Sequence, residues 1–225
     1  MKHLLSLITW LLFLIISGYF ITQKKKTKLF LPGNKSEWYT WLEKSGKNND
    51  PKKVFRFEGN ILHVSGEEFG YICTEKKYSN FKLTFQFKWG EKKFPPRENE
   101  KRDAGVLYLA DHYKGDKIWP RSFEFQIQEG DCGDFWMTDS TTIVYKDQIT
   151  PSERWHREMK YSDTEKPNGQ WNKVEIIINN GKIAHLLNGV IVNEGAHPSI
   201  KEGYIILQSE GAEIYYRNTE LELLK

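Results

Sequence analysis

The chain has 225 residues, which is enough for one ordinary domain and an additional N-terminal segment. Its net charge is +3, but five of the 33 basic residues and none of the 30 acidic residues lie in residues 1–28. The rest of the chain has 28 basic and 30 acidic residues. It therefore lacks the positively charged surface that nucleic-acid binding requires, and we predict no nucleic-acid partner.

The N-terminal segment contains an almost entirely apolar run over residues 4–21. This length lies at the lower edge of a membrane span and also suits the core of a signal peptide. Four lysines between residues 24 and 28 oppose export of the polypeptide that follows them. We still favour export, because so long an apolar run has no other use in a chain that is otherwise polar. We predict a signal peptide or membrane anchor over residues 1–22, a basic linker over 23–30, a single domain over 31–225, and a periplasmic or extracellular location.

Short strand patterns separated by turn residues occur along the rest of the chain. Residues 56–58 and 61–65 read as a hairpin with Gly59-Asn60 at its turn. Residues 81–89 alternate between apolar and polar side chains and predict a half-buried strand. Residues 91–102 are charged and contain two adjacent prolines, which predicts a long loop, and residues 104–110 form the next strand.

The C-terminal half contains the strongest turn signals. Two Asn-Gly pairs, at Asn180-Gly181 and Asn188-Gly189, separate three apolar segments and predict a three-stranded meander, because both residue types accept positive φ. Two further strands are predicted over residues 204–208 and 213–223. The only helix candidate is residues 36–44. About a dozen strands with no alternation of strands and helices predict an all-β, antiparallel β-sandwich.

The polar side chains of residues 123–128, with the sequence FEFQIQ, lie at alternate positions. If the apolar set faces the core, Glu124, Gln126 and Gln128 must share the other face of the sheet, because a strand has a side-chain period of two. That face is either a solvated surface or a groove that binds a polar ligand. We predict a groove, with Gln208 and at least one more acid near Glu124, whose crowding raises the pKa of one carboxyl group.

Carboxylates, amides and tryptophans are the side chains that bind sugars, because they pair with hydroxyl groups and stack on pyranose rings. Such side chains occur on the 123–128 strand and, at Gln208 and Glu210, after the apolar residues 205–207. Trp119 and Trp136 flank the first of these segments. The two cysteines, Cys73 and Cys132, permit a disulfide without requiring one, and no CxxC spacing supports a metal site.

Seven motifs follow one another between Leu29 and the C-terminus: LFLPG from Leu29, GYICTEKKYSNFKLTFQFKW from Gly70, DAGVLYL from Asp103, FEFQIQEGDCGDFW from Phe123, GQWNKVEIII from Gly169, HLLNGVIVN from His185 and GYIILQSEGAEIYYRN from Gly203. In these motifs and in their order the chain resembles the 3-keto-disaccharide hydrolase family. The resemblance implies a concanavalin-like jelly roll, the fold of many lectins and glucanases. It also implies secretion in bacteria and action on carbohydrates in which C3 has been oxidised to a ketone.

A 3-keto sugar permits cleavage by elimination, because the ketone acidifies the hydrogen on C2 and the glycosidic oxygen can leave from C1. This route needs a base, an acid for the leaving group, and a cation or donor for the enolate. We predict Glu124, Glu210 and Arg217 as catalytic, with a bound divalent cation as the alternative to Arg217. The predicted substrate-binding residues are Asp103, Trp119, Gln126, Glu129, Asp131, Trp136 and Gln208.

A non-catalytic carbohydrate-binding module is the alternative interpretation, because the same fold serves lectins and enzymes. It predicts sugar binding without turnover. In both interpretations the expected partner is a carbohydrate, with membrane anchoring through residues 4–21 as a further expectation.

Overall fold

The computed structural model describes residues 26–34 and 36–225, so the predicted signal or anchor segment lies outside the described residues. Within the described ranges no helix is long and apolar enough to span a membrane. These ranges contain only strands and irregular segments. In chain order the strands are β1 (Lys26–Lys28), β2 (Trp38–Leu42), β3 (Gly46–Lys47), β4 (Phe55–Glu58), β5 (Ile61–Val64), β6 (Gly70–Thr74), β7 (Phe81–Lys93), β8 (Asp103–Asp111), β9 (Arg121–Gln128), β10 (Phe135–Thr138), β11 (Val144–Tyr145), β12 (Gln148–Ile149), β13 (Trp155–Glu158), β14 (Asn172–Asn179), β15 (Lys182–Leu187), β16 (Val190–Ala196), β17 (Tyr204–Ser209) and β18 (Ala212–Leu223).

The strands form two antiparallel sheets packed into a sandwich, as predicted. The larger sheet has the order β12-β11-β16-β15-β14-β7-β18-β5-β4, with β1 paired to β18. The smaller sheet has the order β13-β10-β9-β8-β17-β6-β2-β3. Neighbours that are distant in sequence, such as β8 and β17, come together in this sheet, so side chains from far apart in the chain share its outer face.

The hydrophobic core lies between the two sheets and follows the alternation read from the sequence. In β7 the apolar residues are buried, and the polar residues between them are only partly buried. Phe123, Phe125 and Ile127 of β9 are fully buried in the same core. Because apolar burial contributes about 25 cal/mol per Å², this core fixes the register of both strands.

The predicted hairpins are confirmed. β4 and β5 pair around Gly59, and β14, β15 and β16 form the predicted meander. Asn180 and Gly181 have φ values of 48° and 74°, and Asn188 and Gly189 have values of 52° and 87°. These positive values explain why Asn-Gly was the reliable signal.

The helix candidate over residues 36–44 was wrong, because β2 occupies this segment and pairs with β6. Consecutive Trp38, Tyr39, Thr40 and Trp41 are aromatic and β-branched side chains that suit a pleated, half-buried surface. The tertiary contact with β6 therefore outweighs the weak helical pattern.

The domain also begins earlier than the predicted boundary at residue 31. β1 lies inside the predicted linker and pairs with β18, and Leu29 and Phe30 are buried in the core. The lysines of this segment hid its pairing, because an edge strand can carry charged side chains at little cost.

The two cysteines are free. Cys73 belongs to a cluster on the outer face of the smaller sheet, and Cys132 belongs to the core between the sheets. They therefore lie on different sides of that sheet and do not pair.

Candidate functional site

A cavity of about 610 Å³ lies on the outer face of the smaller sheet. Its floor is formed where β8, β9 and β17 run side by side, with Gly105 of β8 opposite Gln126 of β9. Glu124 of β9 pairs across to Trp136 of β10 on the same face. The residues that line the cavity are Arg97, Asp103, Trp119, Glu124, Gln126, Gln128, Trp136, Arg154, Trp155 and Glu210.

Gly105 is the position at which polar side chains from two neighbouring strands converge. A Cβ atom at this residue would lie 2.0 Å from Oε1 of Glu124 and 2.2 Å from Oε1 of Gln208. Both oxygens therefore occupy the space that any other residue's side chain would fill. The missing side chain of Gly105 brings the Glu124 carboxyl group next to the Gln208 amide.

Gln208 links the two glutamates of the site. Its Nε2 donates a hydrogen bond of 3.2 Å to Oε1 of Glu210, and Nε1 of Trp119 donates to the same oxygen. Its Oε1 is buried, has no hydrogen-bond partner, and faces Oε1 of Glu124 over Gly105. Two acceptor oxygens side by side repel each other unless one carries a proton. This arrangement therefore favours a protonated Glu124 and places the donors on Glu210.

Arg97 and Asp103 form the charged side of the cavity. Nη1 of Arg97 donates to Oδ2 of Asp103 and lies 4.0 Å from Oε2 of Glu210. The amides of Gln126 and Gln128 donate to the two oxygens of Asp103 at 3.1 and 2.8 Å. Burial raises the pKa of Asp103, and Arg97 and Gln128 oppose that rise. One guanidinium therefore faces two acids.

Burial and like charge raise the pKa of both glutamates. The pKa of Glu124 lies well above its usual value because of its burial and the neighbouring Glu210 and Asp103 carboxyl groups. Burial and the charge of Asp103 raise the pKa of Glu210 to about 8, against the opposing effects of Arg97 and Trp119. The cavity thus holds carboxyl groups that retain protons at neutral pH, as the crowding read from the sequence predicted.

The aromatic walls come from three tryptophans. The predicted Trp119 and Trp136 line the cavity, and Trp155 completes it. The rings of Trp119 and Trp155 meet edge to face at 5.5 Å, and Trp155 is 38% exposed. Such rings offer stacking surfaces for the apolar faces of a sugar.

Arg217 is not part of this site, which corrects the sequence-based assignment. It lies in β18 of the larger sheet, beside the fully buried Tyr216 that faces the core. Its Nε donates a 2.7 Å hydrogen bond to Gln86, and its guanidinium stacks 3.9 Å over the ring of Trp171. The sandwich core therefore separates Arg217 from the cavity, whose lining contains Arg97 instead.

Glu129 and Asp131 also lie outside the cavity lining. Glu129 forms an ion pair of 3.1 Å with Arg102, and Asp131 pairs with Lys101 and Arg157 at 3.0 and 3.2 Å. Burial by itself would raise the pKa of Glu129, but hydrogen bonds from Arg102 and Asn168 outweigh this effect and lower the pKa below its usual value. Both acids therefore stabilise the loop after β9 rather than facing a ligand.

Sequence reasoning missed Arg97, Arg154 and Trp155 as site residues. Arg97 lies in the charged segment between β7 and β8, where no local pattern distinguishes it from its basic neighbours. The sequence did contain one indication of its role. The segment ends at Asp103, so its residues must lie near the start of β8. Gln128, which the alternation placed on the groove face with Glu124 and Gln126, lines the cavity with them.

No group of three His, Cys, Asp or Glu residues that could hold a metal ion occurs within residues 26–34 and 36–225. Of the three acids of the cavity, Asp103 and Glu210 face the Arg97 guanidinium. The positive charge that the described residues place in the cavity is therefore the Arg97 guanidinium, with Arg154 at the wall.

The profile of the 3-keto-alpha-glucoside-1,2-lyase-like domain family matches residues 25–222. The chain belongs to this family. The family assignment made from the sequence motifs is thereby confirmed, and with the cavity it supports a protein that acts on glycosides. A comparison with curated protein sequences gives no significant match.

Solved structures of similar fold place the 3-keto-alpha-glucoside-1,2-lyase-like domain among jelly rolls. A protein from Parabacteroides distasonis described as a candidate glycosyl hydrolase has a TM-score of 0.60 at 21% identity, covering 89% of this chain and 100% of its own. The carbohydrate-binding module CBM66 of Bacillus subtilis has a TM-score of 0.58 at 10% identity, covering 83% and 95%. The β-glucanase of Bacillus licheniformis has a TM-score of 0.55 at 8% identity, covering 88% and 97%. At these identities the likeness shows the fold alone.

We expect Gly105→Ala to disrupt the site while the fold survives. The new methyl group displaces the Glu124 and Gln208 side chains, which can swing into the cavity without moving the core. The variant should lose at least about tenfold in ligand affinity or turnover, equivalent to roughly 1.4 kcal/mol, while far-UV circular dichroism stays unchanged. Gly33→Ala is the matched control, because nothing lies within 4 Å of its Cβ position. Equal behaviour of the two variants would contradict this account of Gly105.

We expect Glu210→Gln to stabilise the protein increasingly as pH rises from 5 to 8. The folded state holds a proton on Glu210 up to a pKa of about 8, whereas the ordinary value is 4.5. The wild type therefore loses stability across this window, and a neutral amide does not. Each pKa unit corresponds to about 1.4 kcal/mol, so Tm should differ by several degrees at pH 8 and converge near pH 4.5. A difference in Tm that does not change with pH would refute the shifted pKa.

Proposed function

We propose that the protein cleaves glycosides whose sugar carries a ketone at C3, by elimination across C1 and C2 followed by addition of water. The observation that carries this proposal is the cluster of three buried carboxyl groups around one guanidinium, in a chain of the 3-keto-alpha-glucoside-1,2-lyase-like family. A binding protein needs no carboxyl groups with raised pKa, whereas proton transfer does. The net reaction is hydrolysis of the glycosidic bond.

Glu210 is the proposed base that removes the proton from C2. Hydrogen bonds from Trp119 and Gln208 occupy its Oε1, and its Oε2 lies 4.0 Å from Arg97 and is the oxygen left to take a proton. A base with a pKa of about 8 is matched to a weakly acidic C–H bond near neutral pH. Loss of the proton from C2 yields an enolate whose charge rests on the oxygen at C3.

Glu124 is the proposed acid that protonates the leaving oxygen. In the free protein its carboxyl group faces the unpartnered Oε1 of Gln208, which favours the protonated form. When the C1–O bond breaks, the electron pair of the enolate forms the C1–C2 double bond, the ketone at C3 is restored, and the proton of Glu124 goes to the departing oxygen. The ionised Glu124 then takes a proton from water as the hydroxyl group adds to C1, and the proton held by Glu210 returns to C2.

Arg97 is the proposed donor to the enolate oxygen. Its Nη1 contacts Asp103, and Asp103 is itself held by two glutamine amides, so the guanidinium is fixed before substrate arrives. A preorganised cation of this kind stabilises developing charge without reorganisation cost. The tryptophans of the walls are the proposed stacking surfaces for the oxidised ring.

We further propose that the protein works outside the cytoplasm, exported or anchored through residues 4–21. The support is the apolar run itself and the near-neutral composition of the remaining chain. Immunoblotting of fractionated cells tests this, and recovery of the full-length chain from the cytoplasm would contradict it.

We expect pure protein to release the leaving sugar from a 3-keto-disaccharide and to leave the unoxidised parent disaccharide intact. The ketone is essential, because without it the C2 hydrogen is not acidic. Product formation is followed by chromatography, with and without added divalent cations. Turnover of neither compound would contradict the proposal, and binding without turnover would favour a carbohydrate-binding module.

We expect Glu124→Gln and Glu210→Gln each to lower kcat/KM by at least about 100-fold, the usual contribution of acid–base groups. The wild-type rate should rise with pH towards about 8, because Glu210 must lose its proton to act as a base. Glu129→Gln is the matched control and should retain activity, since this acid lies outside the cavity. A flat pH profile, or equal losses in all three variants, would argue against these roles.

We expect Arg97→Gln to reduce kcat/KM by about 100-fold or more, as removal of an oxyanion donor does elsewhere. Arg217→Gln should change it by less than about twofold, because the core separates Arg217 from the cavity. Tm of both variants checks that the fold is retained. The reverse order of effects would restore the sequence-based assignment of Arg217.

A further inference from the structure

A second cavity of about 280 Å³ adjoins the first on the outer face of the smaller sheet. The two share Trp119, Arg154 and Trp155 as a common wall, so a single ligand can extend across both. Beyond this wall the second cavity has a different lining, with no residue of the carboxyl cluster. The side chains that belong to it alone are Trp41, Glu43, Asp116, Lys117, Ile118, Thr138 and Asp139.

Trp41 is a rigid platform in the second cavity. Its ring stacks on Tyr71 at 5.3 Å with an interplanar angle of 27°. The hydroxyl of Tyr71 donates a 2.5 Å hydrogen bond to Oδ1 of Asp116, and the hydroxyl of Tyr39 donates to the same oxygen at 3.2 Å. One face of the indole is therefore covered and its orientation fixed, which lowers the entropy lost when a ring stacks on it.

The charges of the second cavity favour a neutral ligand. Glu43, Asp116 and Asp139 contribute three carboxylates, against Lys117 and the shared Arg154. Lys117 is already paired with Asp139 at 2.5 Å. Among the described residues, an anionic group would meet three carboxylates and only the shared Arg154 as a cation that is not already paired, whereas hydroxyl groups can donate to the carboxylates.

We propose that the second cavity binds the leaving group, and that this group is a neutral sugar stacked on Trp41. This inference rests on the proposed function and assigns recognition of the second sugar to Trp41 and the second cavity. The scissile bond then crosses the wall at Trp119, whose Nε1 donates to Glu210. Occupation of the second cavity thereby positions the bond beside the carboxyl cluster.

The test compares two substrates that share the oxidised ring: a 3-keto-disaccharide with glucose as its leaving group, and the methyl glycoside of the same 3-keto sugar. Trp41→Ala should lower kcat/KM for the disaccharide by at least about tenfold and change that for the methyl glycoside by less than about twofold. For each substrate, kcat/KM of the variant is divided by that of the wild type. This ratio removes the difference in intrinsic reactivity between the two leaving groups. Trp171→Ala is the matched control and should change neither ratio, because Trp171 lies just before β14 and its ring packs against Arg217 of the larger sheet.

Glu43→Ala is the second variant, because Glu43 is exposed and its side chain is not needed for folding. It should show the same selective loss, smaller in size. The assignment of the second cavity would be overturned if each variant lowered kcat/KM equally for the disaccharide and the methyl glycoside. It would also be overturned if neither variant changed kcat/KM for either substrate. Turnover of neither substrate by the wild type would instead overturn the proposed function on which it rests.

Discussion

Three buried carboxyl groups beside a single guanidinium form the constraint on which the site depends. Arg97 cannot neutralise Asp103, Glu124 and Glu210 together, and burial penalises each unpaired charge. The cluster therefore retains protons that isolated acids would lose. The side-chain donors are distributed unequally, with three on Asp103 and none on the Glu124 oxygen beside Gln208, so the three acids are chemically distinct.

This cluster persists because the core beneath it is rigid. Phe123, Phe125 and Ile127 are fully buried on one face of β9 and hold Glu124 and Gln126 on the other. Gly105, in the neighbouring strand, leaves the space that the Glu124 and Gln208 oxygens occupy. The close contacts between these polar groups persist because the strands cannot change register without turning their polar side chains into the core. The sandwich thus provides the preorganisation that the proposed proton transfer requires.

The same architecture occurs in a β-glucanase and in a carbohydrate-binding module, so the fold alone does not decide between catalysis and binding. The distinction lies in a few side chains on the outer face of the smaller sheet. Stacking tryptophans would serve either role. Buried glutamates with raised pKa values, next to an oriented arginine, are what the enzymatic interpretation adds.

Much of the fold and the centre of the site were predictable from local pattern, because a period of two decides which face a side chain takes. The Asn-Gly turns predicted the meander, and the alternation in residues 123–128 placed Glu124 and Gln126 on one face.

The same pattern says nothing about which sheet a distant strand joins, and so Arg217 was assigned to the site although β18 lies in the other sheet. Weak periodicity likewise suggested a helix where pairing with β6 imposes a strand. Arg97 comes from an irregular segment, whose path is set by long-range packing rather than by spacing. The sequence determined the faces of the strands, whereas the tertiary structure alone decided which charges meet across them.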